Sequence, residues 1–405
     1  MNSVRKTFPV LASPDNCTGC ATCAAVCPFG AVDMVGDDEG FDHPRMNAER
    51  CRSCGRCERA CPVLHASCPE RVPVRVFAAM ALDENLRMNS SSGGVFSLLA
   101  ESVLSRNGVV FGAAWEGADR IGTPVLRGVT AESELAVLRG SKYVQARPGT
   151  SFDEADKALR AGRPVLFSGT PCQIAGLKAF LGRDDDKLLS VEVICHGCAS
   201  PAVFQSYVRS LEEEHGGNCT TYTFRSKKNG WTTDSIEASF SNGNSLSEGP
   251  AKDPFFRGFV HDLYNRRSCA ACAFRNLKSG ADVTLGDFWH VSQHLAGMND
   301  GKGTSLVLCN TGKGDSAFSA IMPRMRTCET SFKLSLRVNP ALRRSSKPHR
   351  NREAFFRQWR DASDLKDLIR RLTALSLAEK VSLAFRRFVY RVRGKIVTMV
   401  RGVGK

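Results

Sequence analysis

Cys17, Cys20, Cys23 and Cys27-Pro28 are followed 34 residues later by Cys51, Cys54, Cys57 and Cys61-Pro62, and this doubled phrase constrains the chain more than any other feature. In each copy three thiolates fall close enough for one tight loop to wrap a cubane. The fourth comes after three further residues, carries a proline behind it, and serves the neighbouring cluster. The spacing therefore predicts one 4Fe-4S cluster on Cys17, Cys20, Cys23 and Cys61 and a second on Cys51, Cys54, Cys57 and Cys27, each half of the repeat completing the other. A structural zinc site wants two separated cysteine pairs, which this pattern is not. Disulfides are disfavoured for thiols in a reducing compartment, and no apolar secretory core is seen at the amino terminus.

Nine of the 17 cysteines lie in the first 68 residues, so the redox module is compact and amino-terminal. A chain of 405 residues, 42% hydrophobic and 24% charged, has ordinary globular composition and room for two or three domains. No stretch reaches the ~18 uninterrupted apolar residues of a membrane span, and a cytoplasmic location is expected. The net charge of +15 is unevenly placed: residues 343–405 hold 18 Lys and Arg against five acids, or +13, leaving +2 for the preceding 342 residues.

Past the proline-bounded stretch Pro69 to Pro73, apolar strands alternate with helices. Val74 to Leu82 reads as a strand, "SSSGG" at Ser90 to Gly94 as a turn, and Val95 to Leu104 as a helix. Gly108 to Ala114 is a further strand and Leu135 to Arg139 a short helix. A helix over Phe152 to Ala161 leads to the strand Pro164 to Phe167 and a helix from Ile174 to Leu181. Leu188 to Ile194 is again a strand, ahead of a helix from Ala202 to Glu213. This grammar predicts a largely parallel sheet with ligand sites at the strand carboxyl ends. Residues 219–250 read as antiparallel, with a polar hairpin around Ser241 to Asn244.

Through "SSSGGVFSLLA", "LRGSKYVQ", "VLFSGTPCQIAGLKAFL", "ICHG", "DPFFRGF", "SCAAC" and "TLGDFW" the chain resembles the family of coenzyme F-420 hydrogenase and dehydrogenase beta subunits. Residues and resemblance together predict a fold of class α+β and α/β: a ferredoxin-like two-cluster module (1–70) from the cysteine spacing, an α/β flavin and iron-sulfur body in two parts (71–155 and 156–335) from the resemblance, and a basic helical tail (336–405) from the charge. It implies an iron-sulfur flavoprotein oxidoreductase that passes electrons between 4Fe-4S clusters and a two-electron substrate or carrier such as a deazaflavin, the substrate not following from the fold. The chain departs from the family at Cys198, where an aliphatic residue is more frequent, and at His290, where glycine is usual.

Cys172 in "GTPC", Cys195 in "ICHG" and the pair Cys269 and Cys272 are expected to converge on a third 4Fe-4S cluster at the strand ends, with Cys198 as a substitute for either strand-end cysteine. Burial of Cys172 and Cys195 as small hydrophobes is the alternative. Flavin phosphates need backbone N–H groups at a helix start. Given the resemblance, Ser91, Ser92, Gly93 and Gly94 are the expected FAD turn and Gly169 with Thr170 a similar one, a plain helix cap being the other meaning of each. Lys142 is expected to neutralise a phosphate or the reduced ring, and Asp287 and Trp289 to line the site; an exposed lysine and a core tryptophan are the alternatives. His196, beside a candidate ligand, is the candidate catalytic proton donor, against the ordinary surface role of a loop histidine.

Arg52, Arg56 and Arg59 in the second cysteine repeat stand where the first has Thr18, Thr22 and Ala25. Positive charge there favours the reduced form, so the second cluster is expected at the higher potential unless water screens the arginines. In the tail, Val381, Phe385, Phe388, Val392, Ile396 and Met399 recur at helical spacing among basic residues. Such a helix suits an anionic membrane surface on the inner face, an acidic partner, or the protein's own core. Nucleic acid is not expected, since no recognition module accompanies the charge. A redox partner protein or a two-electron carrier is expected in either case, the rival to an enzyme being a non-catalytic electron carrier that binds no flavin.

Overall fold

A computed structural model describes residues 8–65, 69–233 and 235–375. In the amino-terminal module, β1 (Val32–Gly36) and β2 (Asp42–Met46) form an antiparallel hairpin between the two cysteine loops, which end in the one-turn helices Thr22–Ala25 and Arg56–Arg59.

The body is built on runs of small and β-branched apolar residues that suit a sheet covered on both faces. Its strands are β3 (Arg75–Ala81), β4 (Val109–Trp115), β5 (Pro124–Val129), β6 (Val165–Gly169), β7 (Leu188–Val193), β8 (Cys219–Ser226), β9 (Ser235–Phe240), β10 (Ser245–Glu248), β11 (Val283–Asp287), β12 (Ser305–Cys309) and β13 (Met325–Thr330). Eight of them make one sheet in the order β13-β3-β12-β11-β7-β6-β4-β5. The parallel expectation holds for its centre, where β4, β6, β7 and β11 are joined in parallel. Both flanks are antiparallel: β5 returns from β4, while β12 runs against β11 and β3, and β13 against β3. Three-stranded β10-β9-β8 is the antiparallel unit read from residues 219–250.

Helix Val95–Leu104 falls where the sequence placed it, and helices Ser151–Arg160 and Pro201–His215 agree within two residues. Leu135 to Arg139 is instead part of a 3₁₀ segment, Glu132–Leu138. Helix Pro171–Leu181 starts three residues early because Thr170 and Gln173 form a capping box around Pro171. Residues 336–375, expected as the beginning of a separate tail, belong to the body: Phe355, Trp359, Leu365, Leu368 and Ile369 are buried with Phe204, Tyr207 and Phe255. The basic amphipathic segment beginning at Val381 lies outside the described residues.

The ferredoxin module is held on the body by polar clamps around a close contact. Arg266, buried, donates from Nε to the Cys17 carbonyl (2.7 Å), from one terminal nitrogen to the Asp42 carbonyl (2.9 Å) and from the other to Gln145 Oε1 (3.0 Å). Gln145 in turn donates to the Thr18 carbonyl (2.9 Å). Glu39 is paired with buried Arg352 and with Arg267, and Arg147 with Asp42 at 2.8 Å. Under the clamps, helix Thr22–Ala25 lies on helix Pro171–Leu181 so closely that a Cβ at Gly176 would sit 2.7 Å from Thr22 Oγ1 and 3.0 Å from Cys20 Cβ.

Gly176→Val is therefore expected to push the first cysteine loop off the helix and cost about 1–3 kcal/mol, the usual range for overpacking, read as a lowered thermal midpoint by calorimetry. An unchanged midpoint would show that the two elements do not meet in solution.

Candidate redox site

Each cysteine loop is wound by the same backbone device. Gly19 and Ala21 adopt positive φ (67° and 58°), as do Ser53 and Gly55 at the repeat-equivalent positions (55° and 70°). Two left-handed residues in a five-residue span turn the chain tightly enough for successive cysteines to face inward, at a conformational cost for Ala21 and Ser53 that ordinary loops avoid. Backbone N–H groups then point at sulfur: Gly19 to Cys17 (3.4 Å), Ser53 to Cys51 (3.3 Å) and Ala31 to Cys27 (3.2 Å).

Cys17, Cys20, Cys23 and Cys61 line one pocket walled by Leu11, Met34, Pro44 and Val63, which is the cross-repeat grouping read from the spacing. The thiols crowd one another. Burial, then the charges of Cys20, Cys17 and Cys61, push the Cys23 pKa far up, a repulsion that a cationic iron core would relieve. Burial also works to raise Cys17, but a hydrogen bond with His43 and the charge of Arg266 outweigh it and favour the thiolate. In the second loop Cys57 is raised by burial and by the neighbouring charges of Cys27 and Cys54, so those three thiols lie near one another. Cys54 is exposed, whereas Cys17 and Cys20 are buried.

In the body, five cysteines gather rather than four. Cys172 occupies the first turn of helix Pro171–Leu181, not a strand end, and Thr170 Oγ1 lies 3.2 Å from its sulfur. Burial, then the charges of Cys195, Cys272 and Cys269, raise its pKa. Burial, with those of Cys195 and Cys269, pushes Cys272 up to about 11 despite the lowering charge of Arg275. Cys198 bonds to both Cys195 and Cys269, which raises its own pKa, while its bond brings Cys269 down to about 7.

The residues read as a flavin site divide between two places. Gly93 is needed because a Cβ would lie 2.2 Å from the Ala79 carbonyl, and Gly94 starts helix Val95–Leu104 at φ 88°. Ser92 donates to the Thr304 carbonyl (3.0 Å). Ser141 bonds Ser91 at 3.1 Å, which joins this turn to the Lys142 loop. Lys142 donates to the Arg139 and Val137 carbonyls (2.7 and 3.1 Å), and desolvation of its amine pushes it down to about 7 although the residue is only half-buried. Asp287 ends β11 and accepts from Arg225 at 2.9 Å. Its Oδ1 is buried with no partner among the described residues, an acceptor that a ligand N–H would satisfy. Arg225 also lies over the Trp289 ring (5.1 Å), which stacks on Trp231 (5.5 Å). Gly169 and Thr170, by contrast, sit beside Cys172 and serve as the cap of its helix.

His196 has Nε2 2.8 Å from Asp262 Oδ1, and its carbonyl accepts from Arg275, which also holds the Cys195 carbonyl. The sequence reading missed two buried charges. Lys227 donates to the carbonyls of Ser92 (2.6 Å), Arg87 and Lys302 (both 2.8 Å), three acceptors for the three donors of an ammonium, while burial pushes it down to about 7. Glu192, on the central strand β7, accepts from Thr284 Oγ1 (2.7 Å) and from Ser279; burial raises it to about 7. A charged residue inside an apolar alternation carries no periodic mark of burial, so neither was legible beforehand.

Fold and site together define a class: a two-loop ferredoxin module docked onto an α/β body that carries a further cysteine set. Residues 162–331 match the family described as the C terminus of the coenzyme F420 hydrogenase/dehydrogenase beta subunit, and residues 16–64 match a 4Fe-4S dicluster domain. Residues 162–331 are thus similar to that family's C-terminal domain, with the dicluster match in front. It is 25% identical over 200 residues to one of the subunits of the F(420)H(2) dehydrogenase of Methanosarcina mazei, covering 45% of this chain and 53% of the relative. It is 50% identical over 46 residues to one of the subunits of the Na(+)-translocating ferredoxin:NAD(+) oxidoreductase complex of Acetobacterium woodii, covering 11% of this chain and 13% of the relative. The chain therefore spans about half the length of the first relative and a small part of the second. A structure of the F420-reducing nickel-iron hydrogenase complex from Methanosarcina barkeri matches at 18% identity and a TM-score of 0.45, covering 68% of this chain and 89% of that one. Both sequence relatives are oxidoreductase subunits, and the part of this chain that matches a 4Fe-4S domain is residues 16–64. Among the described residues no helix is long and apolar enough to cross a membrane.

Because the folded state holds the Glu192 proton up to about pH 7, against about 4.5 unfolded, ionisation there costs stability as pH rises from 4.5 to 7 and the full cost persists above. Glu192→Gln removes that cost. Its stability relative to wild type should rise by up to about 3 kcal/mol between pH 5 and pH 8, read from denaturant unfolding; a pH-independent difference would contradict the assignment.

Proposed function

We propose that this chain is an iron-sulfur flavoprotein oxidoreductase that passes electrons between 4Fe-4S clusters and a two-electron substrate or carrier such as a deazaflavin. The observation that carries the reading is the contact of Cys20 with Gly176. Cys172 lies four residues before that glycine, one helical turn of ~6 Å, so the first ferredoxin set and the body's set stand on either side of a single turn.

In this reading Cys51, Cys54, Cys57 and Cys27 hold the outer cluster, Cys17, Cys20, Cys23 and Cys61 the inner one, and Cys172, Cys195, Cys269 and Cys272 the third. Cys198, bonded to Cys195 and Cys269, is a hydrogen-bond donor to the third set rather than a ligand. An FAD at the strand ends would supply two-electron exchange with the substrate and one-electron exchange with the clusters. Ser91 offers it a hydroxyl, the Gly93 N–H being spent on Ser305 Oγ (2.9 Å); Asp287 offers an unspent buried acceptor, and Lys227 fixes the turn from behind. With Nε2 committed to Asp262, His196 has Nδ1 available to carry a proton for the two-electron half of the reaction.

Anaerobically purified protein is expected to release about one flavin per chain. Asp287→Ala should lower that content several-fold while keeping iron. Cys172→Ala should lose about four iron atoms, one cubane, and Cys198→Ala none. Full iron with no releasable flavin would leave the chain a carrier without a catalytic centre.

A further inference from the structure

The two cysteine repeats are related by sequence, but the protein uses their outer faces differently. In the first repeat the intervening positions face the body: buried Thr18 carries the carbonyl bonded by Gln145, buried Thr22 packs on Gly176, and half-buried Ala25 packs against the core formed by Ile174, Leu177 and Leu181. The equivalent positions of the second repeat are Arg52, Arg56 and Arg59, and all three are exposed. The face that docks the inner loop onto the body thus has a duplicate on the outer loop, open and basic.

Three further observations belong to that face. Cys54, the exposed cysteine of the eight in the module, lies on it. Arg59 is pinned there, donating to the Cys54 carbonyl at 3.0 Å and lying against Gly55, while Arg52 and Arg56 have no ion-pair partner among the described residues. Apolar surface adjoins it: Phe29, two residues beyond Cys27, and Val10, whose N–H bonds Glu58 in the second-loop helix, are 46% and 59% exposed. Glu58 is the acid within this loop. Arg50, at its margin, is paired with Asp33, and Glu49 stands beside it.

We propose that this face is a docking surface for an acidic one-electron carrier protein, which exchanges single electrons with the outer cluster across the Cys54 edge. The proposal rests on the iron-sulfur reading above. Exposed guanidinium groups are screened over a Debye length of about 8 Å at physiological salt, so they act weakly on the cluster itself, whereas the same charges acting together steer a large anion and orient it. The apolar rim supplies the contact area that charge alone does not. One electron moves per encounter: the carrier is oxidised as the outer cluster is reduced, or the reverse, and no bond is made or broken.

Two donors of opposite charge test it by stopped flow: a reduced acidic plant-type 2Fe-2S ferredoxin and the methyl viologen radical cation. At low ionic strength the triple variant Arg52→Glu, Arg56→Glu, Arg59→Glu should accept electrons from the ferredoxin at least tenfold more slowly than wild type. Added salt should slow the wild-type reaction and not the variant's, and viologen should reduce the variant as fast as wild type or faster. The milder Arg→Gln triple variant should fall between. Iron and sulfide equal to wild type establish that the clusters are intact. Equal ferredoxin rates in wild type and variant would overturn the docking surface while leaving the clusters standing. So would unaltered ferredoxin kinetics combined with lost binding to phosphatidylserine vesicles, which would assign the face to a membrane. Wild-type protein without iron would instead refute the underlying reading, visibly and before any rate is measured.

Discussion

The burial of one guanidinium organises the rest. Arg266 spends its donors on carbonyls of Cys17 and Asp42 and on Gln145, so the first cysteine loop, the β1–β2 hairpin and the body are fastened to the same cation. Losing it would leave those acceptors unsatisfied in a dry interface, which is costlier than the bonds are worth in water. Its charge also faces sulfur: Arg266 lowers the pKa of Cys17 and of Cys269, and so stands between the inner ferredoxin set and the body's set. This weighs against the sequence expectation that the arginine-rich second loop holds the higher potential. Arg52, Arg56 and Arg59 are in water, Arg266 is not, and a buried charge acts through a far lower effective dielectric. A reduction potential that rises inward, from the exposed Cys54 end toward the body, suits that arrangement.

The polar groups around the strand ends share one logic. The central strands are apolar and parallel, so their carboxyl ends collect what the interior cannot hold. Lys227 ties three chain segments together through their carbonyls. Arg225 and Asp287 neutralise one another beside Trp289, and Arg275 caps the carbonyls of Cys195 and His196. These clamps keep loops of irregular backbone rigid enough to place sulfur and ligand donors, a requirement that electrostatic preorganisation imposes on any redox centre.

Much of this was legible in the residues. Local periodicity placed helix Val95–Leu104 and strands β3, β4, β6 and β7, because each buries a continuous apolar face. The cysteine spacing set Cys17, Cys20, Cys23 and Cys61 apart as one group, and these four line one pocket. What escaped was non-local. Antiparallel β12 and β13 are set by which edge of β3 and β11 is left unpaired, and nothing in their own sequence says so. Thr170 and Gly169 looked like a phosphate turn because a capping box and an anion site use the same residues. The burial of Lys227, Glu192 and Arg266 follows from partners 75 to 249 residues away in the chain.

The most direct test of the central claim is iron and acid-labile sulfide per chain in protein purified without oxygen, with paramagnetic resonance after dithionite reduction. About 12 iron atoms, and reduced signals broadened by mutual coupling, are expected if each of the three cysteine sets holds a cubane. Colourless protein, or zinc in place of iron, would contradict the account at its root.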